Sequence, residues 1–589
     1  MTRLSHIAAV LAVVALSSSS IVKSPSNDGK NFELLILHNN DMHARFEQTS
    51  QLSGACTVAD REAGKCYGGF PRVAHVVKEA RKAAASGEGP PVLYLNAGDT
   101  YTGTAWFTIY KWKVAAEFLN ALQPDAVSLG NHKFDNGVSG LTPFIRNLTC
   151  PVLAANLILN KEPSLESEHN LMKSVVFNIN GTKVGIIGYL TPETKVLAVK
   201  NNVEYIDEVI AIKEEVKKLK NEGVNILIAL GHSGFLKDLE IAKKVKDLDL
   251  VIGGHTNTFL WNGTTPDSET IQGPYPTIVK QESGRIVAVV QAYAYTKYLG
   301  KLHVLFNSNG EIDRFDGNPV LLNSSIPQDP TLLAIVNKYR ENITKISDEI
   351  VGTSLVPLDG LTCRLQECNL GNLIADAIVD KYASEYKGEG WTDAPIAIVP
   401  GGGIRASVSH EEKIINITKG ELFTVMPFDG NIVKVNLNGS DVIKMLEYSV
   451  VNYNKIRAAG KFLQLSGLKV EYDFKRPSGK RVVKAEVMCG KCKIPSYGPV
   501  NMSETYNVLM NNFLSMGGDG FSLFIDLPSA TLEYSELSCT VDYMNKKGPV
   551  HPAVEGRIVI HNIDNANNAI RRSVSIILIL LSIVNTKLF

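Results

Sequence analysis

From about Asn31 to Asn323 the chain alternates short apolar runs with longer amphipathic stretches. Leu34–Leu37, Val92–Leu95, Ala126–Leu129, Val184–Ile187, Ile226–Leu230 and Leu250–Ile252 are almost continuously apolar, as strands covered on both faces must be. Gly69–Ala85, Lys113–Leu122 and Asp207–Asn221 instead repeat their apolar residues at helical spacing. Strands and helices in alternation predict an α/β domain with a layered core. The pattern breaks at Pro327-Gln328-Asp329-Pro330, and Thr331–Ile346 then reads as one amphipathic helix between two domains. Beyond Val351 lies a second group of strands, at Ile396–Val399, Ile432–Leu437, Leu468–Tyr472, Tyr506–Met510 and Arg557–Ile560. These predict a second domain ending near His561.

Length and charge agree with this division. At 589 residues the chain is too long for one hydrophobic core. Its 60 Lys plus Arg equal its 60 Asp plus Glu, so no overall field draws it to nucleic acid, and any anion site must be local. Both ends carry addresses. Arg3, the apolar Ile7–Leu16 and the small Ser17–Ser20 come in the order of a secretory signal, placed at residues 1–22; a buried first helix is the alternative. Near the other end, the small residues of Asn565–Ala569, the polar Arg571-Arg572-Ser573 and the apolar Val574–Val584 come in the order of a removed lipid-anchor (GPI) signal, placed at residues 566–589. That apolar run is shorter than the roughly 20 residues a membrane helix needs. A poor membrane span and an uncleaved tail are the competing readings.

Eight Asn-x-Ser/Thr sequons, at Asn147, Asn180, Asn262, Asn323, Asn342, Asn416, Asn438 and Asn501, fit an exported glycoprotein and predict mostly exposed asparagines. In an oxidising compartment the eight cysteines predict disulfides, with Cys56/Cys66, Cys363/Cys368 and Cys489/Cys492 as close pairs. Cys489-Gly-Lys-Cys492 has no second pair or histidine beside it, which favours a small structural loop over redox or zinc chemistry. Cys150 and Cys539 are left open, free or bridged.

The residues with chemistry to offer sit at the ends of the strands. Leu34–Leu37 leads into His38-Asn39-Asn40-Asp41-Met42-His43, Val92–Leu95 into Asn96-Ala97-Gly98-Asp99, and Ala126–Leu129 into Gly130-Asn131-His132. Ile226–Leu230 leads into Gly231-His232, and Leu250–Ile252 into Gly253-Gly254-His255. Any one of these residues alone is ordinarily a solvated loop group or a satisfied core histidine. Five apolar strands ending this way form a constellation, because the carboxyl ends of strands in an α/β sheet share a crevice. Glycine before the ligand lets the backbone turn sharply and a metal or phosphate approach closely. A mixed His, Asp and Asn shell suits divalent ions such as zinc or manganese, not a thiolate site. One carboxylate shared by two ions would hold them about 4 Å apart, the arrangement for in-line displacement at phosphorus.

Asn40-Asp41-x-His43, Gly98-Asp99, Gly130-Asn131-His132, Gly231-His232 and Gly254-His255 resemble the calcineurin-like metallophosphoesterase pattern. The second half adds Cys363-Arg364 to Glu367-Cys368-Asn369, Gly401-Gly402-Gly403-Ile404-Arg405, Pro427-Phe428, Asn512-Phe513 and Gly517-Gly518-Asp519-Gly520-Phe521. With these, almost the whole mature chain is similar to the 5′-nucleotidase family, which includes membrane-anchored ecto-enzymes and secreted arthropod apyrases. The resemblance implies a layered α/β metallophosphoesterase domain at residues 31–325, an interdomain helix at 326–349 and a smaller α+β nucleotide-binding domain at 350–562. It implies two divalent ions, zinc first, with manganese, magnesium or calcium as alternatives. Asp41 and His43 would hold one ion, Asn131, His232 and His255 the other, with Asp99 bridging and Asn257 a weak addition. His132 and Asp135 match the catalytic dyad, an imidazolium that stabilises the transition state and a carboxylate that orients it. Arg364 and Arg405 match the groups at the nucleotide's anionic and ribose end, Phe428 and Phe513 the base sandwich, and Asp519 the ribose-hydroxyl acceptor. A hinged domain rotation and, for anchored members, a homodimer also come with the family.

Two positions depart from the family pattern. Lys133 stands where a glutamate is usual, which puts the pKa of His132 and any local ion pair in question. Pro400 stands where an asparagine is usual, which removes an amide near the base edge. The reading is an extracellular enzyme, at the cell surface or secreted, that converts nucleoside 5′-monophosphates, AMP foremost, to nucleoside and phosphate. One alternative is an apyrase acting on ATP and ADP, favoured by Pro400 and disfavoured by the anchor-like tail. The other is a secreted nucleotide binder without turnover, against which the complete ligand set argues.

Overall fold

The computed structural model describes residues 31–563 apart from 52, 199–200, 411, 429, 456–457 and 526. The secretory signal and the lipid-anchor signal both lie outside the described residues.

Two sheets make the first half. One runs Ile312–Gly317, Tyr298–Asn307, Asn31–Asn39, Val92–Asn96, Ala126–Ser128, Val152–Leu153 and Leu171–Met172, with Val320–Leu321 beside Tyr298–Asn307. The other runs Thr277–Lys280, Ile286–Val290, Leu250–Ile252, Ile226–His232, Thr182–Leu190 and Ser174–Ile179. Their centres are parallel: Asn31–Asn39 pairs with Val92–Asn96, and Ile226–His232 with both Thr182–Leu190 and Leu250–Ile252. Leu34 and Ile36 pack between the sheets, against a core that includes Ile228 and Val251. Leu35 and Leu37 face the opposite way, into a core with Phe70, Val73, Phe118 and Ile145 from the helices Phe70–Ser86, Trp112–Leu122 and Gly137–Asn147. The helices Glu208–Asn221 and Phe235–Lys244 contribute Ile212, Val216 and Ile241 to the core of the second sheet. The result is a layered α/β body, and burial of each central strand on both faces explains its unbroken apolar run.

Tyr298–Asn307 escapes the apolar-run reading because Leu302, Val304 and Phe306 alternate with Lys301, His303 and Leu305, the pattern of an antiparallel strand with one core face. The sheets touch where a side chain is missing. A Cβ on Gly188 would lie 2.2 Å from the Leu153 carbonyl carbon of the facing sheet. Nearby, Asn156 donates to Leu190 O at 2.7 Å and accepts from Leu190 N at 3.0 Å.

The helix Pro330–Ser347 starts at Asp329, whose side chain accepts from Leu332 N at 3.0 Å, with proline in the first turn. Its Leu332, Val336 and Ile343 are buried in the helical core of the first half. The second half has a five-stranded sheet ordered Leu463–Ser466, Ile396–Pro400, Thr505–Asn511, Asn431–Asn438 and Ser529–Ser535. The helices Asn369–Glu385 and Glu536–Lys547 build one core on it, and Gly439–Ser449 a second.

Cys56–Cys66, Cys363–Cys368 and Cys489–Cys492 form the three expected disulfides, while Cys150 and Cys539 are buried free thiols. Asn323 is half-buried and the other seven sequon asparagines are exposed. Among the described residues no helix is long and apolar enough to cross a membrane.

Gly188→Val is expected to lower stability by about 1–3 kcal/mol through forced separation of the sheets. Denaturant unfolding at fixed metal concentration measures this; an unchanged midpoint would contradict the close packing.

Candidate metal centre and substrate cleft

The strands deliver their polar ends to the seam between the two sheets. Asp41 and His43 come after Asn31–Asn39, Asp99 after Val92–Asn96, and Asn131 and His132 open a short 3-10 turn after Ala126–Ser128. These come from one sheet; His232 closes Ile226–His232, and His255 comes after Leu250–Ile252, in the other. The first two loops bond to each other, Asp41 N to Gly98 O at 3.2 Å and His43 N to Asp99 O at 2.9 Å. Asp41, His43, Asp99, His255 and Asn257 all take left-handed backbones, with φ of 51°, 46°, 51°, 78° and 52°. Such conformations are uncommon outside glycine and gather at ligand sites. The glycines have a sharper purpose than the pattern alone suggests. A Cβ on Gly130 would lie 1.8 Å from Asp99 Oδ1, and one on Gly254 would lie 2.7 Å from His232 Nδ1. It is a neighbouring side chain at the site that requires the space.

His232 Nδ1 lies 2.7 Å from Ala97 O and His43 Nδ1 lies 2.9 Å from Thr102 O. Each carbonyl accepts the Nδ1 proton, which turns the Nε2 lone pair inward. His232 Nε2 is then 2.7 Å from Asp99 Oδ2 and 3.6 Å from Asp41 Oδ1, and His43 Nε2 is 3.8 Å from Asp41 Oδ1. Lone pairs facing carboxylate oxygens need a proton or a cation to reconcile them, so the donor set fits divalent ions. Donor atoms of His43, Asp99 and His132 lie within 4.8 Å of one another, as do those of Asp99, His232 and His255, so Asp99 belongs to both groups. Asn131 Oδ1 is 3.0 Å from His255 Nδ1.

Burial opposes charge on Asp99, but His232 and His132 hold its carboxyl well below the usual range. Burial likewise opposes protonation of His232, yet Asp99 and Asp41 push it up to about 9. Burial raises Asp41, and burial together with His232 lowers His255 to about 3.

His132 Nδ1 lies 2.8 Å from Asp135 Oδ2, and its backbone N–H donates to Asp99 Oδ1 at 3.1 Å. Burial works against the imidazolium, but Asp135 and Asp99 prevail and raise its pKa. Lys133 turns its ammonium to two aromatic rings rather than into this pair, although Asp99 and Asp135 are close enough to favour its charge. Its ammonium lies 4.2 Å from the Tyr101 ring centre and 4.8 Å from that of Phe144. It has no hydrogen-bond partner among the described residues, and burial lowers its pKa to about 7.

The second half reaches the same place. Arg405 Nη2 is 3.3 Å from His43 Nε2, and the Phe428 ring stacks on His132 at 5.2 Å between centres. Arg364 donates to Gly402 O at 3.4 Å, and burial and Arg405 lower its pKa to about 10. Burial raises Asp519 to about 6 against Arg364 and Lys461. Phe513 covers Gly518, whose Cβ would lie 2.6 Å from the ring. Phe428 thus lies in a loop and Phe513 in the short helix Asn512–Ser515, and Phe428 meets the dyad histidine. Pro400 is the buried last residue of Ile396–Pro400.

Two residues here escape the sequence reading. Arg45 donates to His43 O at 2.9 Å and Gly103 O at 2.7 Å, and its guanidinium lies 4.5 Å above the ring of Tyr295. The sequence offers for Arg45 only its position two places after His43, and for Tyr295 no signal.

Two packed sheets that bring Asp, Asn and His around one shared carboxylate define a metallophosphoesterase. The calcineurin-like phosphoesterase family model matches residues 34–259, and the 5′-nucleotidase C-terminal domain model matches residues 350–526. Protein 5NUC of Lutzomyia longipalpis is 44% identical over 554 residues, 93% of this chain and 96% of that one. Snake venom 5′-nucleotidase of Naja atra is 42% identical over 90% of this chain and 99% of its own. The solved 5′-nucleotidase precursor from Thermus thermophilus is 32% identical with a TM-score of 0.79, covering 90% of this chain and 100% of that one. The chain belongs to the 5′-nucleotidase family, and its first domain is that of a metal-dependent phosphoric-monoester hydrolase.

Asp99→Ala should remove both ions and nearly all turnover. Gly130→Ala deletes no ligand but should also cut activity at least about tenfold by displacing Asp99. Metal content by elemental analysis, beside the turnover assay, checks both; full metal content and activity in either variant would refute the shared carboxylate. Lys133→Met should stabilise the fold by about 1–3 kcal/mol at pH 6. The folded-state pKa is depressed, so the cost of the charge is complete below about pH 7 and is relieved as pH rises from there toward the unfolded value of 10.5. Thermal unfolding with chelator present should therefore show a smaller gain at pH 9 than at pH 6.

Proposed function

We propose that the protein is an extracellular 5′-nucleotidase that cleaves nucleoside 5′-monophosphates, AMP foremost, to nucleoside and phosphate. The observation that carries this reading is the meeting of Arg405 and Phe428 with His43 and His132. It joins a cationic, aromatic cleft in the second domain to the metal-type seam in the first.

Asp41, His43, Asp99, Asn131, His232 and His255 would hold two divalent ions, zinc by donor chemistry. Such ions, when bound, supply Lewis-acid polarisation of the phosphoryl oxygens. Arg364 and Arg405 neutralise and orient the phosphate, a task suited to planar guanidinium forks. Asp135 fixes the ring of His132 and favours its protonated form, which places a positive donor where charge develops in the transition state. Phe428 and Phe513 offer ring faces to the base, and Asp519 offers an acceptor to the ribose hydroxyls.

Secretion is supported by the leader's order, the seven exposed sequons, the three disulfides and the venom relative. A lipid anchor rests on the order of the C-terminal tail, and a homodimer on the family resemblance.

Phosphate release from AMP, ADP and ATP in parallel is the test. Rapid release from AMP is expected, with Phe513→Ala raising KM about tenfold and changing kcat less. Release from ADP without release from AMP would replace this reading with that of an apyrase. Full metal content without turnover of any of the three would replace it with that of a binder.

A further inference from the structure

One loop of the first domain puts a phenol beside one guanidinium group and against a histidine that a second guanidinium reaches. Tyr295 lies beyond Ile286–Val290, and its backbone N–H donates to Asp41 O at 2.8 Å. Its ring is 5.6 Å from that of His43, the histidine that Arg405 reaches from the second domain. The guanidinium of Arg45 covers the ring at 4.5 Å. Arg45 is itself engaged by the carbonyls of His43 and Gly103, so it acts as a fixed charge that orients the phenol. Tyr293, Tyr295 and Thr296 have left-handed φ of 57°, 58° and 60°, a concentration of strain typical of ligand clamps.

Among the described residues the hydroxyl has one hydrogen-bond partner, Asn257 Nδ2, which donates to it at 3.5 Å. With the amide turned this way the phenol proton has no acceptor there, and Asn257 Oδ1 is itself buried without a partner. An anion suits that position.

We propose that Tyr295 is a further substrate-binding residue, its hydroxyl donating to a non-bridging oxygen of the phosphoryl group that Arg364 and Arg405 hold. This deepens the nucleotidase reading and rests on it for the phosphoryl group, while making no use of the base or the ribose.

Tyr295→Phe keeps the ring and its stack with Arg45 and removes only the donor. On the metal-loaded enzyme, three quantities are compared with the parent: inorganic phosphate affinity by titration calorimetry, kcat/KM for AMP, and inhibition by adenosine. Phosphate affinity and kcat/KM should each fall about tenfold, the scale of one hydrogen bond to a charged group, with adenosine inhibition within about twofold of the parent. Phosphate affinity and kcat/KM within about twofold of the parent overturn the proposal. A parallel loss of adenosine and phosphate binding also overturns it, by assigning Tyr295 a structural role. If the parent proves inactive on AMP, the nucleotidase reading fails, and the phosphate titration alone still decides the role of Tyr295.

Discussion

A carboxylate that is 1% exposed governs the architecture, because Asp99 keeps its charge at the seam of two packed sheets. Removing an ion from water is costly unless opposite charges and donors surround it. Asp99 finds them only because strands of both sheets end together: His232 arrives from one sheet, and the backbone of His132 from the other. The empty Cβ position of Gly130 leaves room for that carboxylate, and the paired loops after Asn31–Asn39 and Val92–Asn96 hold it in place. The layered core is the rigid frame that lets such unlike charges be assembled in advance.

The second domain completes a different part of the balance. The metal-type seam concentrates acidic and imidazole groups, whereas Arg364 and Arg405 bring fixed positive charge to its mouth. A phosphate ester needs both: cations against its oxygens, and a route by which water is excluded. Lys133 contributes to neither. Its ammonium rests against Tyr101 and Phe144, so the contact between His132 and Asp135 survives the charge reversal beside it.

Much of this is legible in the sequence because burial on both faces leaves a plain mark. Leu34–Leu37 and Ile226–Leu230 read as strands without ambiguity, and the polar residues just beyond them are the ones found at the seam. Which strand belongs to which sheet is not legible, since buried parallel strands all look alike and the pairing is long-range. Tyr298–Asn307 escapes notice because its alternation marks a strand with one buried face. The side chains missed at the site, Arg45 and Tyr295, depend on how distant loops meet. Motif context names the base pair of aromatics, but only the fold shows Phe428 lying against His132 and Phe513 over Gly518.

The left-handed backbones at Asp41, His43, Asp99, His255 and Asn257 narrow the residues that evolution could use there. Asp, Asn and His are the non-glycine residues most often found in that conformation. They are also the hard and borderline donors that a divalent ion accepts. Two independent filters, one steric and one chemical, thus select the same three residue types. A longer acid such as glutamate would keep the donor atom but sit less easily on the backbone. A cysteine would change the donor and gain nothing from the fold. Drift among chemically similar ligands is therefore closed off at these positions, and the centre can diversify only through the loops around it.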